Sequence, residues 1–132
     1  MEKIFIADRE LLITVAQYLE SSEYPEIYIT KENMNDGKIS IAGERAKIDN
    51  NEAIKAISTL RKCGYNYISK RKEVIYFTRV SRFENDRGMA YTINGSVPDN
   101  TSIQFLINTE PLPEPNWYYY EADYEKWRSL RQ

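Results

Sequence analysis

The chain has 132 residues, of which 42% are hydrophobic and 29% are charged, and its formal net charge is −2. This length and composition are typical of one domain that buries its own core, and they exclude an intrinsically disordered chain. No apolar run approaches the roughly 20 residues of a membrane helix, so we expect a single domain, residues 1–132, that does not enter a membrane.

Two helices are predicted in the N-terminal half. The first spans about residues 8–21, because Asp8 is a suitable N-cap and apolar side chains follow at intervals of three and four. The second begins at Asp49 and Glu52, which can cap it reciprocally. It ends before Gly64, at a position that favours a left-handed backbone.

Short segments of alternating polarity predict the strands. Residues 27–29 and 38–43 flank Asn35-Asp36-Gly37, a tight-turn sequence, and therefore indicate a β-hairpin. Beyond Gly64 the hydrophobic period becomes two, and four more strands are predicted, at residues 65–69, 74–83, 89–94 and 103–108. Short turns join them, at residues 70–73, 84–88 and 95–100. Connections this short favour an antiparallel meander over residues 65–108.

The C-terminal stretch follows a stiff break at Pro113 and Pro115. Beyond it, aromatic and apolar residues recur every three or four positions, which predicts a terminal helix with one buried stripe. The stripe consists of Trp117, Tyr120, Tyr124, Trp127 and Leu130. Tyr118 and Tyr119 lie off it. A strand over residues 117–120 followed by a short helix is the alternative interpretation.

These elements together predict an α+β fold. We expect an antiparallel sheet of about five or six strands, with the meander over residues 65–108 as its main body. The two helices of the N-terminal half and a C-terminal helix should pack against it.

Two features favour the cytoplasm. The apolar opening of the chain is interrupted at Asp8, before a signal-peptide core of about 7 to 15 apolar residues would be complete. The only cysteine, Cys63, can form no internal disulfide, which suits a reducing compartment.

The residue types exclude most catalytic chemistry. The chain has no histidine, so Ser–His and Cys–His nucleophiles and imidazole metal sites are ruled out. Cys63 falls at the end of a predicted helix, where the dipole disfavours a thiolate, and is interpreted as a structural residue. The five glycines form no phosphate-binding loop. We therefore expect no metal and no cofactor, and a carboxylate-dependent enzyme is only the third interpretation.

Two features favour binding. Residues 61–87 carry eight Lys and Arg against three Asp and Glu, interleaved with aromatic residues, which is a pattern of nucleic-acid-binding sheets. Residues 117–127 hold six aromatic side chains, and Tyr and Trp are enriched in binding hot spots. Our leading interpretation is a non-enzymatic protein-binding module of the inhibitor, immunity or regulatory type, monomeric or homodimeric. Nucleic-acid binding through residues 61–87 is the alternative. The candidate partner-binding residues are Tyr118, Tyr119, Arg79, Arg82 and Arg87.

Overall fold

The computed structural model describes residues 2–41, 43–82, 85–98 and 105–130, and for residues 80–82 it describes the backbone only. The elements in chain order are α1 (Glu2–Glu20), β1 (Glu26–Ile29), β2 (Lys38–Ile41), β3 (Glu44–Lys47), α2 (Asn51–Lys62), β4 (Tyr67–Arg71), β5 (Val74–Arg82), β6 (Asn85–Thr92), β7 (Leu106–Pro111), β8 (Trp117–Asp123) and α3 (Tyr124–Leu130). No helix in these ranges is long and apolar enough to cross a membrane.

The described strands form one sheet in the order β3-β2-β1-β4-β5-β6-β8-β7, and each neighbouring pair is antiparallel. The predicted α+β class is confirmed, as is the hairpin of β1 and β2, in which Tyr28 lies opposite Ser40. The predicted number of five or six strands is wrong, because this sheet has eight. One added strand is β3, whose sequence Glu-Arg-Ala-Lys has no strand-like apolar alternation. It is a strand because it pairs along its whole length with β2.

The predicted meander over residues 65–108 is correct for β4, β5 and β6 and wrong for the strand that follows. β8 lies between β6 and β7, so β7 forms an edge of the sheet. The predicted turn at residues 84–88 is also wrong, since β6 already begins at Asn85. Of the strand predicted at residues 103–108, the first positions lie outside the described residues.

The predicted helix from Trp117 is wrong, and the alternative of a strand followed by a short helix is confirmed. Trp117 and Tyr120 are three residues apart, a spacing that would put them on one face of a helix but puts them on opposite faces of a strand. Each is buried in a different apolar cluster. The spacing that resembles one helical stripe therefore comes from residues that are buried in two separate cores.

Both N-terminal helices differ from prediction at their starts. α1 begins at Glu2, so Asp8 is a buried residue within the helix and not its N-cap. The N-cap of α2 is Asn50, whose side-chain oxygen accepts a hydrogen bond from the Ala53 amide at 3.0 Å. Gly64 follows the end of α2 with φ of 105°, as the sequence predicts.

The helices α1 and α2 cover one face of the sheet, which we call the inner face. The main core lies there and includes Leu12 and Val15 of α1, Ile57 of α2, and Ile68 and Phe77 of the sheet. The opposite face, which we call the outer face, carries a smaller buried cluster of Tyr76, Ala90, Leu106, Tyr120 and Ala122.

Candidate binding surface

The two tyrosines predicted to contact a partner lie on opposite faces of the sheet. Tyr118 and Tyr119 are successive residues of β8, and successive side chains of a strand point to opposite sides. Tyr119 shares the inner face with Trp117, and Tyr118 shares the outer face with Tyr120. Both are half-buried. They cannot contact one flat partner surface together, and a binding role for either residue stays a prediction.

The two predicted arginines whose side chains are described both lie on the inner face, and the charge of Arg87 acts on the neighbouring Tyr119. Arg87 lies opposite Glu121 on the neighbouring strand, and its Nη2 atom is 3.4 Å from Glu121 Oε2. Arg79 lies on the inner face, near the end of α2. The side chain of Arg82 lies outside the described part of the structure. The structure thus brings Arg87 and Tyr119 together on the inner face, while Tyr118 lies on the outer face.

Arg79 is held in a largely buried polar cluster. Its Nη1 atom donates a hydrogen bond to the Cys63 carbonyl at 2.9 Å and lies 3.7 Å from Asp8 Oδ2. Its guanidinium stacks over the Tyr65 ring, 4.9 Å from the centroid. The Tyr65 hydroxyl donates to Asp8 Oδ2 at 2.9 Å, and burial, with help from Asp8, raises the pKa of Tyr65. This cluster joins α1, the end of α2 and β5, so packing within the domain accounts for Arg79.

The thiol of Cys63 lies beside the same cluster. Desolvation and the Asp8 carboxylate raise the pKa of the thiol, and the charge of Arg79 offsets this only in part. A thiol with a raised pKa is protonated at neutral pH and is a poor nucleophile. A raised pKa is consistent with the interpretation of Cys63 as a structural or incidental thiol rather than a nucleophile.

The outer face of β1–β4 carries an unusual set of side chains. The register places Arg45 opposite Ser40, Ser40 opposite Tyr28, and Tyr28 opposite Ser69. Because alternate residues share a face, nine side chains lie there: Glu26, Tyr28, Lys38, Ser40, Arg45, Lys47, Tyr67, Ser69 and Arg71. Four of them are cationic and one is a carboxylate. This part of the sheet is therefore positive, although the whole chain carries a net charge of −2.

Two tyrosines and an arginine form the centre of this surface. The rings of Tyr28 and Tyr67 stack with centroids 6.4 Å apart and planes inclined by 29°. The Arg71 guanidinium lies 5.6 Å from the centroid of the Tyr28 ring. The Tyr28 hydroxyl donates a hydrogen bond to Glu26 Oε1 at 3.1 Å. All three central side chains are half-buried, so their orientation is fixed while part of each ring or guanidinium stays accessible.

Desolvation raises the pKa of both phenols. Tyr28 and Tyr67 are therefore neutral at physiological pH and keep their hydroxyl protons. Each can donate a hydrogen bond, and donors beside cations suit a partner rich in carboxylates.

Further along the outer face the aromatic side chains are part of the core. Tyr76 and Tyr120 are buried and meet edge to face, with centroids 5.1 Å apart. The hydroxyls of Tyr120 and Thr78 are 2.7 Å apart. This pair satisfies two buried polar groups within the domain. Buried side chains therefore separate the accessible rings of β1 and β4 from Tyr118 of β8 on the same face.

The sequence contains a partial signal for this surface. Tyr28 stands between Ile27 and Ile29, and Tyr67 directly precedes Ile68, in segments predicted as strands. Each tyrosine therefore points to the face opposite its neighbouring isoleucine. Lys38 also lies in a predicted strand. Arg45 and Lys47 could not be found in this way, because β3 has no strand signal of its own and their face depends on the pairing with β2.

Within the described residues, no group of three or more Asp, Glu and Cys side chains is arranged to hold a metal ion. No protein-family model, no curated protein and no solved structure matches this chain.

Proposed function

We propose that this protein is a non-enzymatic binding module that holds an acidic partner protein on the outer face of β1–β4. The observation that supports this most is the charge of that face: four cations and one carboxylate around a stacked tyrosine pair, in a chain of net charge −2. Opposite charges across an interface accelerate association and select the partner. The absence of histidine supports the non-enzymatic part of the proposal, and the single cysteine supports a cytoplasmic setting.

The geometry of the centre suits a protein interface. Tyr28 and Tyr67 supply large contact areas with few rotatable bonds, and their stacking already restricts those bonds in the free protein. Arg45 and Lys47 are exposed at the edge of the same face, where charges steer the encounter. An aromatic centre with a charged rim is the usual anatomy of a specific protein contact.

A protein partner accounts for this face better than a single-stranded nucleic acid does. Nucleic-acid grooves combine a continuous basic track with several stacking rings, whereas here two accessible rings share the surface with the Glu26 carboxylate. The aromatic and basic residues of segment 61–87 are also divided: Phe77 and Arg79 lie on the inner face, and Tyr76 is buried. Nucleic-acid binding is therefore the second candidate function, and capture with and without nuclease distinguishes it from protein binding.

The test is a capture experiment with charge-reversed variants. Tagged wild-type protein is incubated with lysate of its native cell, with and without nuclease, and the bound protein and nucleic acid are identified. The same capture is performed with the double variant Lys38→Glu/Arg45→Glu. The affinity of the captured protein for purified wild type and variant is then measured. We expect at least about a tenfold loss, equivalent to about 1.4 kcal/mol, and a steep decrease of the wild-type affinity with salt.

The matched control is Lys3→Glu/Lys55→Glu, which changes the net charge equally at two exposed positions on α1 and α2. This control should bind within about twofold of wild type. Equal losses in both double variants would show that only net charge matters and would refute the assigned face. Capture that disappears with nuclease would replace the protein partner with a nucleic acid.

A further inference from the structure

A groove of about 500 Å³ lies on the inner face, beside the C-terminal end of α1. It is bounded by residues 18–24 on one side and by β2, β3 and Asp49 on the other. Its volume is within the range of about 300 to 1,000 Å³ that small-molecule sites occupy. Its apolar floor lies on the side of the sheet opposite the proposed partner surface.

The floor of the groove is apolar. Ile27 and Ile39 are buried beneath it, while Ile41 and Ala46 are only half-buried. All four face the helices, and Ile41 and Ala46 pack against the main core while staying partly accessible. The main core thus continues into the groove as a partly accessible apolar surface, which favours a ligand with an apolar body.

The rim of the groove is rich in acceptors. The carboxylates of Glu23 and Asp49 border it, and the Tyr18 hydroxyl donates to Asp49 Oδ1 at 3.2 Å. Desolvation and the Asp49 carboxylate raise the pKa of Tyr18, so this proton stays in place at neutral pH.

Two lysines near the groove do not neutralise it. Lys47 borders the groove, but its pairing with Lys38 assigns its side chain to the outer face. Lys70 is buried behind the loop that follows α1, where it donates to the carbonyls of Leu19 at 2.9 Å and Ser22 at 2.8 Å. Those bonds fix the loop and with it the wall of the groove. Among the described residues, neither rim carboxylate forms an ion pair.

We propose that this groove binds a small amphipathic cation, a primary amine with an aliphatic or aromatic body. The body lies on the floor formed by Ile39, Ile41 and Ala46. The ammonium group donates to the carboxylate of Asp49, which Tyr18 holds in place, and to that of Glu23. An ammonium has three donors and no acceptor, so it complements a rim of carboxylates and hydroxyls.

The test uses three probes that share one apolar body and differ in head charge: octylamine, octanol and octanoate. Binding at pH 7 is followed by amide chemical shifts in ¹⁵N-labelled protein, which also report whether each variant is folded. We expect shifts confined to the amides around Ile39, Ile41 and Tyr24. The dissociation constant of octylamine should be at least about tenfold below that of octanoate, because the two head groups carry opposite charge.

Two variants and one control locate the site. Asp49→Asn should weaken octylamine binding at least about fivefold, and Ala46→Leu should weaken all three probes by filling the floor. Glu32→Gln, at an exposed position outside the groove lining, removes one negative charge and should leave binding within about twofold. Equal affinity for the three probes, a preference for octanoate, or no binding below about 10 mM would each overturn the proposal.

Discussion

The C-terminal stretch offers the sharpest stability comparison, between Trp117→Ala and Trp127→Ala. Trp117 is 3% exposed and contacts the rings of Phe5, Phe77 and Tyr91, with centroids 5.1 to 5.6 Å apart. Truncating a large buried aromatic residue costs about 3 to 5 kcal/mol, and the loss of three ring contacts places Trp117 in the upper part of that range.

Trp127 lies in the short helix α3 and is half-buried, with ring contacts to Phe105 and Tyr124. Because solvent already reaches part of the ring, we expect Trp127→Ala to cost only about 1 to 2 kcal/mol. The assay is a pair of urea melts at 25 °C. With a urea m-value of about 2 kcal/mol/M, the midpoint should decrease by about 2 M for Trp117→Ala and by less than about 1 M for Trp127→Ala.

An unchanged m-value is the control for this comparison, since it shows that both variants unfold from the same native state. A loss for Trp127→Ala equal to or greater than that for Trp117→Ala would refute the reasoning. It would mean that the terminal stretch is anchored through a helical stripe after all, as the spacing of its aromatic residues suggests.

The other stability predictions concern single contacts, each read from urea melts. Gly88→Ala should destabilise the protein by about 3 kcal/mol or more, because the new Cβ would clash with a backbone oxygen of β5. Gly43→Ala should destabilise it by only about 1 to 2 kcal/mol, because Gly43 has a positive φ but open space around it. Asp8→Ala should cost about 3 kcal/mol by leaving Arg79 largely buried without its carboxylate, and a loss below 1 kcal/mol would contradict the buried cluster. Asp123 accepts hydrogen bonds from the Lys126 amide and the Asn85 side chain, and these lower the pKa of its carboxyl below the ordinary value. The stability that Asp123 contributes is therefore present above the pKa of the unfolded state and is lost as pH falls through the pKa of the folded state. Asp123→Ala should accordingly destabilise by about 0.5 to 1 kcal/mol at pH 7 and by nothing measurable at pH 2, and a loss that persists at pH 2 would contradict this.

Elements with strong local signals were predicted well. The helix α2 contains its own apolar stripe, and Gly64 allows the left-handed residue that ends it. The exact cap was missed by one residue, because Asp49 and Asn50 are both good N-caps and only the backbone geometry distinguishes them. The pairing of β1 with β2 was likewise predictable from the turn-forming residues between them, although the connection spans residues 30–37 and is not the tight turn expected at Gly37.

Other features depended on contacts between distant parts of the chain. β3 has no strand pattern and exists through its pairing with β2, and the insertion of β8 between β6 and β7 leaves no mark in the local sequence. The same holds for Asp8. Its local sequence is that of an N-cap, but in the fold its carboxylate accepts a hydrogen bond from Tyr65, 57 residues away.

The candidate surface combines both kinds of information. The sequence by itself determined that Tyr28 and Tyr67 lie next to isoleucines in predicted strands, and so point to the opposite face, and that the chain lacks histidine. Only the tertiary structure decided that these tyrosines stack and that Arg45 and Lys47 share their face. The physical reason is that side-chain periodicity is a local property of the backbone. In contrast, which strands lie side by side depends on the burial of apolar surface across the whole fold.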